Sequence, residues 1–333
     1  MVAVNPAAVN RGRGAGAEQV HMLQKSSILG LAFITPAMRL FRAAVLFSAL
    51  PGASFGRAAA QGYYSDGRVE SYSAPAAIIA VNRSVSVSYQ ITDSYYIEPS
   101  DGGAFTLPNF AAYSDCELGT ERGGRAALSW TDPEGRIYLY GDYARDAGNV
   151  AYTGFTLTTN MPLDAVTHYD VSEYNFKLGT GFAARQGRWM LTPYLGYGTR
   201  YWDRSLSATY DEYYTDSYLS LGGLVQEAPL DWLVISEDMS VGKLIDDHIN
   251  VTLDGSSGGE NLRPGPLIKL ALELNFQIVP ALSLFTRFGY TYFSFGQSNV
   301  YVAPGSENME PMSHTSLLDV NTGLRIPLGF PTL

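Results

Sequence analysis

The chain has 333 residues, 46% hydrophobic and 16% charged, with a formal net charge of −10, a balance that excludes a disordered or collagen-like chain. Only 22 Lys+Arg stand against 32 Asp+Glu, which excludes sequence-independent nucleic-acid binding, since that relies on cations neutralising phosphates. Cys116 is the single cysteine, so no intrachain disulfide forms, and 23 Tyr, 34 Gly and 15 Phe favour short strands, tight turns and interfacial aromatics over helices.

Residues 1–60 read as an export segment, with six basic residues and one acidic residue. From Met38, MRLFR leads into AAVLFSALPGASF and then GRAAA, the basic, apolar and small-residue regions of a secretory signal peptide cleaved after Ala60. Pro51 and Gly52 break the apolar run, which argues against an ordinary core helix. The stretch before Met38 reads as unstructured, and Met22 and Met38 are alternative starts. Residues 61–333 form the second domain, with 16 basic and 31 acidic residues. No run in it reaches the ~18 apolar residues of a membrane-crossing helix. That leaves a secreted soluble β-domain or a transmembrane barrel.

Period-2 alternation recurs along this domain, placing successive side chains on opposite faces of a strand. Val85, Val87, Tyr89 and Ile91 alternate with Ser84, Ser86, Ser88 and Gln90. Weaker alternation spans 125–130 and 136–143. Tyr174, Phe176 and Leu178 alternate with Glu173, Asn175 and Lys177, and weaker runs follow at 189–202, 218–226 and 232–244. The clearest run sets Ile268, Leu270, Leu272, Leu274, Phe276 and Ile278 against Lys269, Ala271, Glu273, Asn275 and Gln277. Residues 282–295 and 318–328 complete a count of ten.

Connections alternate short and long. The short ones, 132–135, 185–187, 228–231 and 279–281, carry Pro or Gly suited to tight turns. The long ones cover 98–124, 144–170, 205–217, 246–266 and 297–316. This pattern predicts an all-β fold, a transmembrane antiparallel up-and-down barrel of about ten strands in a bacterial outer membrane. Closure leaves no unsatisfied backbone edge in lipid. Apolar faces meet lipid, and the polar faces fill a narrow lumen with paired charges, so a wide channel is not expected. Tyr95, Tyr96, Trp130, Trp189, Tyr201, Trp202, Trp232, Tyr290 and Tyr292 lie at strand ends, as two interfacial girdles require. The segment Leu324–Phe330 resembles the aromatic-ended last strand of outer-membrane barrels, although Pro331, Thr332 and Leu333 follow it.

The parity of the 232–244 strand puts Ser236, Asp238, Ser240 and Gly242 on one face and predicts Asp246 and His248 on that same inward face. An Asp two residues from a His is able to orient the imidazole as a general base. Here the chain resembles the omptin family of outer-membrane proteases, ten-stranded barrels with an Asp-x-His pair ending the seventh strand, as Leu244–His248 does. The resemblance implies endopeptidase activity through Asp246 and His248. The family's Asp-x-Asp pair between strands three and four is missing, since that loop offers Asp146, Asp164 and Asp170 at other spacings. Asp146, Asp164, His168, Asp170, Asp211 and Asp247 are candidate rim-binding residues, with Glu212 and Asp216 adding acidic charge. Each also reads as a solvated loop residue, and His168 as a loop residue before a ligand. No cofactor and no metal spacing is evident. The expected partners are the outer-membrane bilayer and, outside it, lipopolysaccharide, peptides or proteins, which makes a structural, adhesion or ligand-binding barrel the first reading and the hydrolase the alternative.

Overall fold

The computed structural model describes residues 76–99, 113–155, 161–184, 188–253, 255–299, 301–303, 306–308 and 310–329. The expected export segment 1–60, the expected turn at 185–187 and Phe330 lie outside the described residues. Helix α1 (Ala76–Asn82) precedes strands β1 (Ser84–Pro99), β2 (Tyr113–Thr131), β3 (Ile137–Phe155), β4 (Pro162–Thr180), β5 (Phe182–Ala184), β6 (Trp189–Ser207) and β7 (Tyr210–Leu230). Then come β8 (Leu233–Leu253), β9 (Ser256–Asn261), β10 (Arg263–Val279), β11 (Leu282–Gly296), β12 (Tyr301–Ala303), β13 (Ser306–Asn308) and β14 (Ser313–Pro327).

Ten of these strands are staves of a closed antiparallel barrel, each paired with its neighbour in chain order. β14 returns to β1, and β8 pairs directly with β10. Partners followed once around from Ser84 return to Tyr96, twelve residues further along β1. A stagger of that size over ten staves tilts them by about 40°.

The lower part of each stave obeys the predicted alternation. Leu221 and Val241 are 64% and 63% exposed, whereas Gln226 and Asn321 are 1% and 0% exposed, so the apolar face looks outward and the polar face fills the lumen. An outward band runs through Val85–Ile91, Leu128–Trp130, Ile137–Tyr143, Tyr174–Leu178, Leu191–Tyr197, Leu219–Leu221, Met239–Ile245, Ile268–Ile278, Leu284–Phe288 and Val320–Ile326. This is the membrane-spanning ring. Tyr143, Tyr174, Tyr201 and Tyr213 touch in sequence around four neighbouring staves at 4.8, 6.4 and 6.4 Å between ring centroids, forming the outer aromatic girdle. Tyr96 and Trp202, expected in that girdle, face inward and are 1% and 0% exposed.

The expected long connections are instead largely strand. β3 and β4 continue through 144–155 and 162–172, and β6 and β7 meet across a turn of two residues, Ala208 and Thr209. The staves therefore rise past the girdle as a collar. There the polarity inverts, because water replaces lipid outside: Asp203, Asp211 and His168 face out, and Tyr96, Trp202, Tyr214 and Ile249 face in.

The lumen is filled at three levels. At the turn end, Ile78 and Val81 of α1 pack on Met190, Ala228 and Val234. Asn82 and Gln226 exchange side-chain hydrogen bonds at 2.6 and 2.9 Å, which fixes the helix in that mouth. Mid-lumen, Lys269 pairs with Glu173, Lys177 with Asp238, Arg325 with Glu273 at 2.6 Å and Arg287 with Asp319 at 2.9 Å. Cavities of ≈ 30 and ≈ 60 Å³ lie among these groups, each with room for a few waters. Above them lies an apolar layer of Tyr96, Val150, Tyr169, Trp202, Tyr214, Leu244, Phe293 and Phe295.

Close approach across the wall demands glycine at Gly198, where the ring of the cross-strand Tyr218 occupies the space of a Cβ. That ring carries a hydroxyl donating to Glu173 at 2.6 Å. A Gly198→Val substitution is expected to displace it and cost ~1–3 kcal/mol by overpacking. The check is a lower temperature of conversion from the folded to the unfolded gel band.

Candidate functional site

The densest polar chemistry lies inside the collar, above the aromatic layer. β6 alternates Arg200, Trp202 and Arg204 inward, and Arg204 reaches carboxylates from two other staves. Its Nη1 is 2.5 Å from Glu212 of β7, and its Nη2 is 2.8 Å from Glu117 and 3.4 Å from Asp115 of β2. The Tyr96 ring stacks beneath the guanidinium at 4.7 Å. Hydroxyls complete the shell: Thr167 and Tyr169 donate to Glu117, Tyr210 to Glu212 at 2.5 Å, Tyr214 to Glu212 and Glu310 at 3.1 and 3.0 Å, and Tyr96 to Glu98 at 2.8 Å.

Five carboxyl groups thus gather around Arg204, which bonds three of them, Asp115, Glu117 and Glu212. Burial pushes Glu98, Asp115 and Glu117 above the carboxylate range and lifts Glu310 to about 8. Glu212 alone is held low: burial raises it, while the charge of Arg204 and the hydrogen bonds from Tyr210 and Arg204 are among the causes that lower it.

A second inward row crosses three adjacent staves. Arg200 pairs in register with Asp216, and Asp216 with Asp247.

The expected Asp-x-His geometry is corrected. Tyr218 pairs with Leu244 but Ser217 with Asp246, so Ile245 is an extra residue in β8. Such a bulge places two residues against one and shifts the parity beyond it. Asp246 and His248 consequently face outward, and Asp247 and Ile249 face the lumen at 3% and 0% exposure. The His248 ring nitrogens lie 3.1 and 3.2 Å from Asn261 Oδ1 and Asn250 Oδ1, and Asp246 makes no hydrogen bond to the ring.

The remaining rim candidates divide between the two walls. Asp164 accepts from Thr153 at 3.2 Å, and His168 Nδ1 lies 2.9 Å from Asn149 Oδ1, both outside. Asp170, also outside, takes a forked pair of bonds from Arg145 at 3.0 and 2.6 Å, which hold its carboxyl below the usual range. Asp211 is half-buried on the outer wall beside Asp203. Asp146 points inward and accepts from Thr92 at 2.8 Å and from Gln90. Glu212 and Asp216, read as rim charge, are each only 1% exposed. Reasoning from sequence missed Arg204, Glu117 and Arg200. The period-2 spacing that puts Arg200 and Arg204 on one face with Trp202, and Glu117 on one face with Asp115, was the available signal, but it sits where aromatics and charges mix on both walls. Among the described residues, no group of three or more His, Cys, Asp or Glu converges as a metal site.

No protein-family profile matches the chain, and no curated protein does. Among solved structures the chain is similar to Ail, the attachment invasion locus protein of Yersinia pestis, at 12% identity over 74% of this chain and 99% of that one, with a TM-score of 0.27. It is similar to the translocator domain of the autotransporter NalP from Neisseria meningitidis at 11% identity, over 85% of this chain and 97% of that one, with a TM-score of 0.34. The toluene transporter TodX of Pseudomonas putida matches at 6% identity over 77% of this chain and 94% of that one, with a TM-score of 0.26. Likeness at this level bears on neither activity nor partner.

Proposed function

We propose that the chain is a bacterial outer-membrane barrel of structural, adhesion or ligand-binding type, whose work is done by the collar and loops and not by conduction. The observation that supports this is the lumen, closed by α1 below, by ion pairs midway and by the aromatic layer above. A collar standing clear of the membrane ring offers its outer wall to lipopolysaccharide, or to extracellular peptides and proteins. The outward placement of Asp246 and His248 removes the geometric support for a lumen-facing hydrolytic pair.

Three measurements test the reading. The protein should fractionate with outer membranes and migrate differently on gels before and after heating. In planar bilayers it should give no stepwise conductance. In liposomes it should capture lipopolysaccharide or extracellular peptides or proteins without cleaving a fluorogenic peptide library. Recovery in the soluble periplasm, open-channel steps or peptide cleavage would each overturn it.

A further inference from the structure

We propose that Asp216 and Asp247 form a binding site for a hydrated divalent cation of the calcium or magnesium class inside the collar. The two residues are direct antiparallel partners on β7 and β8, which sets their Cβ atoms about 5 Å apart on one face. Both face the lumen, at 1% and 3% exposure, and none of their four carboxylate oxygens accepts a hydrogen bond. Buried carboxylates in native proteins are paired, hydrogen-bonded or bound to metal. This pair has the first two answers closed to it among the described residues.

The neighbouring charges neutralise it only in part, since Arg200 favours ionised Asp216 while Asp247 and Glu173 oppose it. Arg200, next in the row on β6, is turned over the rings of Phe293 and Trp202 at 4.4 and 5.5 Å, and it forms no ion pair with either aspartate. Glu173, bound to Lys269, and the outward Asp246 add only negative charge nearby. The row therefore carries one positive and two negative groups and lacks a second positive charge. A hard cation that keeps part of its water shell needs only one or two protein carboxylates. Arg200 Nε and Trp202 Nε1, on the neighbouring stave, are likewise buried without a hydrogen-bond acceptor. A shared proton would supply the same charge, and it is the competing outcome.

The position of the tryptophans makes the site readable. Trp202 is the one tryptophan in the collar, since Trp130, Trp189 and Trp232 flank the turns at the opposite end. The full chain, refolded in detergent with and without calcium or magnesium, is expected to convert to its unfolded gel band at a higher temperature when the cation is present. Terbium bound in place of calcium should emit when tryptophan is excited, and excess calcium should quench that emission. Asp216→Asn and Asp247→Asn, each checked for folding by heat-modifiable migration, should lose both the emission and the shift, while the outer-wall variant Asp170→Asn keeps both. If the native chain shows neither effect, or if the two lumen variants retain them, the proposal is wrong. If the cations do nothing and acidification raises the conversion temperature of the native chain more than that of the two lumen variants, the charge is met by a proton and the cation site is overturned.

Discussion

Replacing Arg204 by methionine is expected to destabilise the collar by ~3–5 kcal/mol at neutral pH, the usual cost of leaving buried charges without their partner. The arginine bonds Glu117, Glu212 and Asp115 together, so its removal leaves those acids facing one another across the collar. The loss should depend on pH in a direction set by the carboxyl groups. In the native fold, burial lifts Glu310 to about 8, and Glu98, Asp115 and Glu117 also sit above their ordinary values. A carboxyl with a raised folded pKa binds more protons folded than unfolded, so stability is greatest below the unfolded value and falls as pH rises toward the folded one. Native stability should therefore decline from about pH 4.5 toward about 8. The Arg204→Met chain, with Glu212 no longer held low, should decline more steeply and recover on acidification. Gel-conversion temperatures across that range decide the matter. Equal stability of the two chains at the alkaline end would remove Arg204 as the organising charge.

Trp202→Ala is expected to cost ~3–5 kcal/mol as well, by a different route, since it empties the middle of the aromatic layer. The indole is 0% exposed, stacks on Tyr214 at 4.8 Å and meets the edges of Tyr169 and Tyr96 at 4.9 and 5.6 Å. Three rings would lose their central contact together, and a dry cavity would replace a plug. The single variant should still block ions, because α1 closes the opposite mouth. Combined with Ile78→Asp, which breaks the contact of α1 with Met190 and Val234, it should admit measurable current in planar bilayers. A double variant that folds and stays silent would mean that the mid-lumen ion pairs suffice as a barrier.

Much of the barrel was legible because lipid enforces a simple rule. Val85 to Ile91 alternates without exception and Ile268 to Ile278 departs only at Ala271, and each of the ten expected segments falls on a stave to within a residue. The collar was not legible, because above the girdle the rule reverses while the residue types overlap. Tyr169 and Trp202 are lumen residues there, and Tyr201 and Tyr213 belong to the outer girdle, yet nothing in their chemistry distinguishes the two sets. Segments such as 144–155 and 246–253 therefore looked like polar loops. The candidate site failed to transfer for a narrower reason. Parity carried Asp246 and His248 inward only if β8 stayed regular, and the apolar Ile245 gives no sign that it is the unpaired residue. The Arg204 cluster needed Asp115 and Glu117 from one stave and Glu212 from another. Their convergence depends on the twelve-residue stagger, which no local pattern reveals.

The bulge at Ile245 has a neighbour, since the adjacent stave β10 also slips register between Pro264 and Leu267. The two breaks lie at the seam where the ring embedded in lipid gives way to the part standing in water. An irregularity there works as a slip joint. A residue gained or lost in either section is absorbed at the seam, and the other section keeps its facing. On these two staves the lipid-facing section and the section standing in water are thus uncoupled in facing, one matched to the membrane and the other to whatever meets it from outside.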